Sequence, residues 1–265
     1  MESKINRYSK QLILINSFFI LAWLIISVFP FIWTFWGSFK VKADFFSRAD
    51  WMFAVTGVNT LIETGDTSTV KAYVESWTEG EFWKATMNTI IITVSVVTIS
   101  LFLGTLGAYA LSRSTYKYTF WILIAALIFR AMPHITLVSG YLFPFFQLNV
   151  WGILPTTIIV LVAINQPFTL WLLYSFFKTV PKELDESALI DGCSYFQAFR
   201  YVIMPVMWPG VVTAGLFSMM LAYNDFTVTS LLLNQQNYTM VPKINAYLGT
   251  IEHSGNYMWA VSSVV

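Results

Sequence analysis

Asn88–Leu111 reads NTIIITVSVVTISLFLGTLGAYAL, an apolar run without a single charged side chain. At about 1.5 Å per residue, roughly 20 helical residues cross a hydrocarbon core of about 30 Å, and this run is longer than that. Inside hydrocarbon the backbone amides find no water, so a helix, which satisfies them internally, is the conformation the run must take. Working outward, the pattern repeats. Leu12–Trp36 is equally free of charge, Phe120–Phe146 is interrupted by Arg130 and His134, and Trp151–Phe177 and Tyr201–Tyr223 follow. Across the 265 residues 57% are hydrophobic and 11% charged, against roughly 25% charged in an ordinary soluble domain. That is too little charge to cover a water-facing surface. A spanning β-barrel would show two-residue alternation in segments of about ten residues, which the sequence lacks. The expectation is an all-α, polytopic transmembrane helical bundle with five complete spans. Met258–Val265 reads as the start of a sixth, truncated by the end of the sequence.

Charge sets the orientation. Arg113 and Lys117 lie in a short loop without acids, the opposite loop at Gln147–Val150 is uncharged, and residues 41–83 carry more Asp and Glu than Lys and Arg. Short basic loops stay inside, which predicts a cytoplasmic N-terminus. Leu12–Trp36 is too long for the core of a cleaved signal peptide and is followed by no small-x-small site, so it reads as a retained span. The organisation is then 1–42, tail and first span; 43–82, an external region with an insertion at 43–68; and 83–265, the transmembrane core, with a cytoplasmic loop at 179–210.

Several functions are disfavoured by what is missing. A net charge of +1 and no basic tract give nucleic acid nothing to hold. Cys193 is the only cysteine and there are two histidines, so neither a nucleophile–base pair nor a metal cluster is available. No catalytic residue, metal or bound cofactor is expected, and the chain reads as a non-enzyme. Without a Gly-x-x-x-x-Gly-Lys loop, any ATP hydrolysis belongs to another subunit. The spans carry no carboxylate before Asp225, which argues against an ion-coupled secondary transporter.

Thr179–Gly210 reads TVPKELDESALIDGCSYFQAFRYVIMPVMWPG. Pro181 suits a first helical turn, and Glu183, Asp185 and Glu186 crowd that turn where carboxylates favour the positive end of the helix dipole. Asp191-Gly192 breaks the helix, since glycine tolerates the left-handed conformation. A second helix over Ser194–Tyr201 presents Tyr195, Phe196 and Phe199, ahead of Pro205 and Pro209. An ordinary amphipathic interfacial helix would read similarly.

The run Glu186-Ser187-Ala188-Leu189-Ile190-Asp191-Gly192-Cys193, with Phe199, Ile203 and Pro205 beyond it, resembles the EAA loop of binding-protein-dependent ABC importer permeases. Ser187 and Cys193 stand where alanine is usual; both are small. Other stretches carry the resemblance along the chain: Ser38-Phe39-Lys40, Asn88-Thr89, Ala108–Arg113, Arg130-Ala131-Met132-Pro133 and Tyr223-Asn224-Asp225-Phe226, where Tyr223 replaces the usual Trp. The Ile-Asp-Gly form resembles carbohydrate permeases of the MalG type, with permeases for a polyamine or peptide as the alternative. The resemblance implies a bundle of the ABC importer permease type in the bacterial cytoplasmic (inner) membrane. It also implies cytoplasmic ABC ATPase subunits, a second permease subunit and an extracytoplasmic solute-binding protein as partners. Glu186, Ser187, Ala188, Asp191, Gly192, Cys193, Phe196 and Phe199 would then form the ATPase-coupling element, with Gly192 giving the bend and Glu186 and Asp191 fixing its ends.

Candidate polar residues lie within the spans and at the end of the fifth. Arg130 falls about halfway along the third block and His134, four residues on, shares its helical face; an intramembrane Arg faces protein or water, as a path lining or as a helix clamp. Asn165 and Gln166 lie in the middle of the fourth block, suited either to sugar hydroxyls or to interhelical hydrogen bonds. Asn224 and Asp225 close the fifth, as contacts for the binding protein or as a helix terminator.

Overall fold

The computed structural model describes residues 2–38, 68–249 and 263–264. The insertion up to residue 67, Phe39, Lys40, His253 and most of the run expected to begin a sixth span lie outside the described residues.

The described chain is helical: α1 (Glu2–Ser38), α2 (Ser68–Thr78), α3 (Phe82–Arg113), α4 (Thr119–Ala131), α5 (His134–Gln147), α6 (Leu154–Thr179), α7 (Glu183–Ile190), α8 (Tyr195–Ala198), α9 (Met204–Tyr223), α10 (Thr227–Leu232) and α11 (Met240–Gly249). Four stretches among the described residues are long and apolar enough to cross a membrane: Leu12–Phe35, Phe82–Arg113, Leu154–Thr179 and Tyr195–Tyr223. A fifth is added if α4 and α5 count as one span. Their outward side chains are apolar. Ile90, Ile91, Val94, Phe102 and Leu103 of α3 and Trp208, Leu216 and Met220 of α9 are exposed, a surface that suits lipid and not water.

The third apolar block is where the structure departs from expectation. It is no straight helix: α4 and α5 meet at a bend of 85°. The cause is local. Pro133 bars Met132 from helical backbone, and Met132 is extended at φ −69°, ψ 142°. With 13 residues, α4 is only about 20 Å long, short of a hydrocarbon core of about 30 Å.

Two compact units form, Met1–Phe82 with Ile244–Val265, and Trp83–Lys243. In the first, the Tyr73 hydroxyl lies 2.5 Å from Ser38 Oγ, and the Tyr247 hydroxyl donates to the Gly80 carbonyl at 2.6 Å. Burial, reinforced by the charge of Glu81, pushes the Tyr247 hydroxyl up to about 12. Gly80 is required there, because a Cβ would stand 2.6 Å from both the Ser76 carbonyl oxygen and the Tyr247 hydroxyl.

The second unit has two apolar cores. One gathers Ile92, Val96, Val138, Leu161, Val228 and Leu232, where α10 packs on α5 and α6. The other gathers Ala108, Leu173, Phe177, Phe199, Ile203 and Met207, where α3, α6 and α9 meet the 183–203 segment. Gly210 lets α9 approach α6: a Cβ there would lie 2.8 Å from the Phe176 ring. Asn88 and Thr89 tie the start of α3 to the segment before α11, the Thr89 hydroxyl accepting from the Met240 amide at 2.9 Å.

Candidate functional site

The turn between α7 and α8 is built from the backbone outward. Gly192 sits at φ +86°, the left-handed conformation in which side chains other than glycine's are strained. The Gly192 amide donates to the Leu189 carbonyl at 3.1 Å and the Cys193 amide to the Ala188 carbonyl at 3.0 Å. This pair of reversed bonds is a Schellman ending, which satisfies the last carbonyls of α7. One residue on, Ser194 caps α8 in a capping box, its amide donating to Gln197 Oε1 at 2.8 Å and its Oγ accepting from the Gln197 amide at 3.3 Å. The end of one helix and the start of the next are thereby both capped.

α8 does not stop before the next span. It runs through a π-turn at Phe199–Ile203 into α9, so Tyr195–Tyr223 is one spanning unit. Pro205 has no amide to give the Tyr201 carbonyl and its ring pushes that carbonyl aside; the widened turn just before it accommodates both effects.

The turn exposes three large apolar side chains. Ile190 is 86% exposed, Tyr195 74% and Phe196 64%, while Glu186, Ser187, Asp191 and Gly192 are exposed around them and Cys193 is half-buried. Ala188 is buried against the loop. Phe199 corrects an expectation. Its ring is buried, 4.8 Å between centroids from Tyr109 of α3, so it anchors the loop to the bundle and presents nothing to a partner. Neither Glu186 nor Asp191 fixes an end of the turn through its exposed side chain; backbone bonds do that.

The attachment of the turn rests on residues whose sequence positions gave no hint of pairing. Asp185, in the first turn of α7, receives the Tyr109 hydroxyl on Oδ1 at 2.5 Å and pairs with Arg113 Nε through Oδ2 at 2.7 Å. Arg113 is the last residue of α3, and its Nη1 also donates to the Val180 carbonyl at 3.1 Å and the Phe177 carbonyl at 3.3 Å. Those carbonyls end α6, where helical partners run out. One guanidinium thus joins the end of α3, the end of α6 and the start of α7. The Tyr109 ring packs between Phe177 and Phe199, with centroids at 5.7 and 4.8 Å. The pair is largely enclosed, at 16% and 13% exposure, so losing one partner leaves the other charge poorly compensated.

Elsewhere in this unit, Arg130 Nη1 lies 2.8 Å from His134 Nε2. The two flank the break at Met132-Pro133, so a bend brings them together and not a shared face of one continuous helix. Asp225 accepts from the Val228 and Thr229 amides at 2.9 and 3.0 Å, capping α10. Burial pushes its carboxyl above the usual value, partly offset by those two amides and by His134. Asn224 donates to the Met220 carbonyl at the end of α9. Asn165 Nδ2 and Gln166 Oε1 are buried without a hydrogen-bond partner, and Gln166 Nε2 lies against Gly104. An apolar cleft of about 630 Å³ lies between α4, α5 and α6, walled by Phe129, Leu137, Tyr141, Phe145, Ile164 and Pro167. Among the described residues no three of His, Cys, Asp and Glu stand together as metal ligands.

Residues 98–265, which include the whole turn, match the family described as "Binding-protein-dependent transport system inner membrane component". The chain belongs to this family. It is a transmembrane permease subunit of a binding-protein-dependent ABC importer, in a family of transporters and not of enzymes. Relatives include the diacetylchitobiose uptake system permease protein NgcG of Streptomyces coelicolor, 27% identical over 258 residues, covering 93% of this chain and 78% of the relative. The trehalose/maltose transport system permease protein MalG of Thermococcus litoralis is 31% identical over 236 residues, covering 88% and 79%. Among solved structures, that of a bacterial ABC transporter involved in the import of the acidic polysaccharide alginate superposes with a TM-score of 0.73 at 19% identity, over 95% of this chain and 90% of that one. That likeness shows the fold.

Proposed function

We propose that this permease imports a sugar or oligosaccharide, and that the turn around Gly192 docks on a separate cytoplasmic ATPase that supplies the energy. The observation that carries the docking is the exposed Ile190, Tyr195 and Phe196 on a turn held rigid by its own backbone bonds. Exposed aromatic and aliphatic side chains on a preorganised element suit an anchor in a partner's groove. The substrate class is supported by relatives named for diacetylchitobiose and for trehalose and maltose. In this reading the N-terminus and the turn are cytoplasmic, a second permease completes the path, an extracytoplasmic binding protein delivers the solute, and this chain binds no nucleotide. ATP-driven closure of the ATPase moves the turn and rocks the spans between inward and outward access. Arg130, His134, Asn165 and Gln166 are the candidates for the path or for clamping helices, and Asn224 and Asp225 for the end that meets the binding protein.

The test is purification of the tagged permease from its native host in mild detergent, with mass spectrometry of co-purifying chains. An ATPase and a second permease are expected, and the ATPase falls away in Ile190→Glu. A permease that purifies alone overturns the docking.

A further inference from the structure

We infer that Arg113, Asp185 and Tyr109 form a mechanical clamp that makes the coupling turn move as one body with the ends of α3 and α6; they are positioning residues for energy coupling. The inference rests on the docking proposed above.

Three carboxylates crowd the first turn of α7, and a favourable interaction with the helix dipole would serve all three alike. The structure treats them differently. Glu183 and Glu186 are exposed, whereas Asp185 is enclosed with both oxygens engaged, one by Tyr109 and one by Arg113. Dipole stabilisation therefore does not account for Asp185. Its partners reach it across the chain, from 76 residues away in the case of Tyr109. Arg113 also reaches the last carbonyls of α6 through Nη1. A planar guanidinium presents several donors in fixed directions and can do this while pairing with a carboxylate; a lysine ammonium cannot hold the same fork. Beneath the polar contacts, the Tyr109 ring is held between Phe177 and Phe199, so the α9 side of the loop is tied to the same point. A push on Ile190 or Phe196 is then met by two long helices and not by a hinge at Val180–Lys182. Beyond Phe199 the π-turn and Pro205 make the connection to α9 the irregular one.

The experiment uses the assembled importer, with one spin label on Cys193, the native single cysteine, and a second on Tyr116→Cys, an exposed position just beyond Arg113. The label-to-label distance is measured with and without ATP and vanadate. ATPase recovered with the permease is scored separately, so a failure of docking is seen as its absence and is not confused with a failure of the clamp. With the clamp intact, one narrow distance is expected and ATP leaves it unmoved. Arg113→Lys and Asp185→Asn are expected to lose that single distance, giving a broad distribution that shifts with ATP. Should the charge variants fail to accumulate, Tyr109→Phe decides, since it keeps the ring stack and removes only the hydroxyl. A broadened, ATP-sensitive distance in Tyr109→Phe supports the clamp. A distance in Tyr109→Phe and Arg113→Lys as narrow and ATP-independent as in the unaltered chain overturns it, as does an unaltered chain whose distance itself shifts with ATP.

Discussion

Gly192 and Gly210 are both small for a reason, and the reasons differ. Around Gly192 nothing lies within 4 Å of where a Cβ would stand, so only its backbone conformation excludes other residues. Left-handed backbone costs an L-residue about 1–2 kcal/mol, and asparagine is among the few that visit it routinely. Gly192→Asn is therefore expected to keep ATP-driven uptake close to that of the unaltered importer, while the β-branched Gly192→Val loses most of it. Equal uptake by the two variants, measured in cells with equal amounts of permease in the membrane, would show that the left-handed turn is dispensable. At Gly210 the backbone is ordinary helix and the Phe176 ring is what excludes a side chain. The first of these glycines is legible in sequence, because Asp-Gly after a helical run signals a left-handed ending. The second is not, since nothing near residue 210 says which ring will face it. Asp185 is illegible for the same reason. Its place in an acidic first turn has a sufficient local explanation, and its partners at Tyr109 and Arg113 follow from how α3, α6 and α7 converge.

At the level of elements, hydrophobic blocks mark where helices run but not where they bend. Phe120–Phe146 carries no ionisable side chain but Arg130, His134 and Tyr141, and length alone makes it a span. Pro133 signals the boundary where α4 ends, but the size of the bend, 85°, is not readable from the run itself. Phe196 and Phe199 look alike in sequence too; the π-turn and the Tyr109 ring turn the second inward and leave the first exposed. The short helix α10 gives a test of its own. Asp225 caps it through two amides, and burial raises its carboxyl above the ordinary 3.8. A carboxyl whose folded value exceeds the unfolded one favours the folded state fully at low pH, and that contribution declines as pH rises from about 3.8 through the raised value. Asp225→Asn keeps an acceptor for the Val228 and Thr229 amides without the titration. Thermal unfolding in detergent should show the unaltered chain losing stability relative to Asp225→Asn as pH rises through that window. A difference that is constant with pH, or grows the other way, would remove burial as the dominant influence on Asp225. Asp225→Ala, which loses the cap, is expected to be less stable than Asp225→Asn by about 1 kcal/mol.

For the molecule as a whole, the sequence carries the class of fold well because the constraint is strong. Few charges and long apolar blocks leave a helical membrane bundle as the one architecture that satisfies the backbone. The turn at Gly192 is legible from its motif, and the structure adds the way it is attached: backbone bonds shape the turn, an aspartate and an arginine fix it to two spans, and a π-turn joins it to a third. Arg130, His134, Asn165 and Gln166 are legible as polar residues in apolar surroundings, but which neighbours they meet follows from how the helices pack.

In the function proposed above, the Gly192 turn is where this permease meets its ATPase. Cys193, the chain's only cysteine, lies in that turn and is partly accessible, so a benzophenone maleimide can be placed there without altering any other residue. Irradiation of the assembled importer is predicted to give a single crosslinked species containing this permease and the ATPase subunit, abolished by Ile190→Glu. Crosslinks from Cys193 only to lipid, to the second permease or within the chain itself, in a complex that retains its ATPase, would contradict the claim.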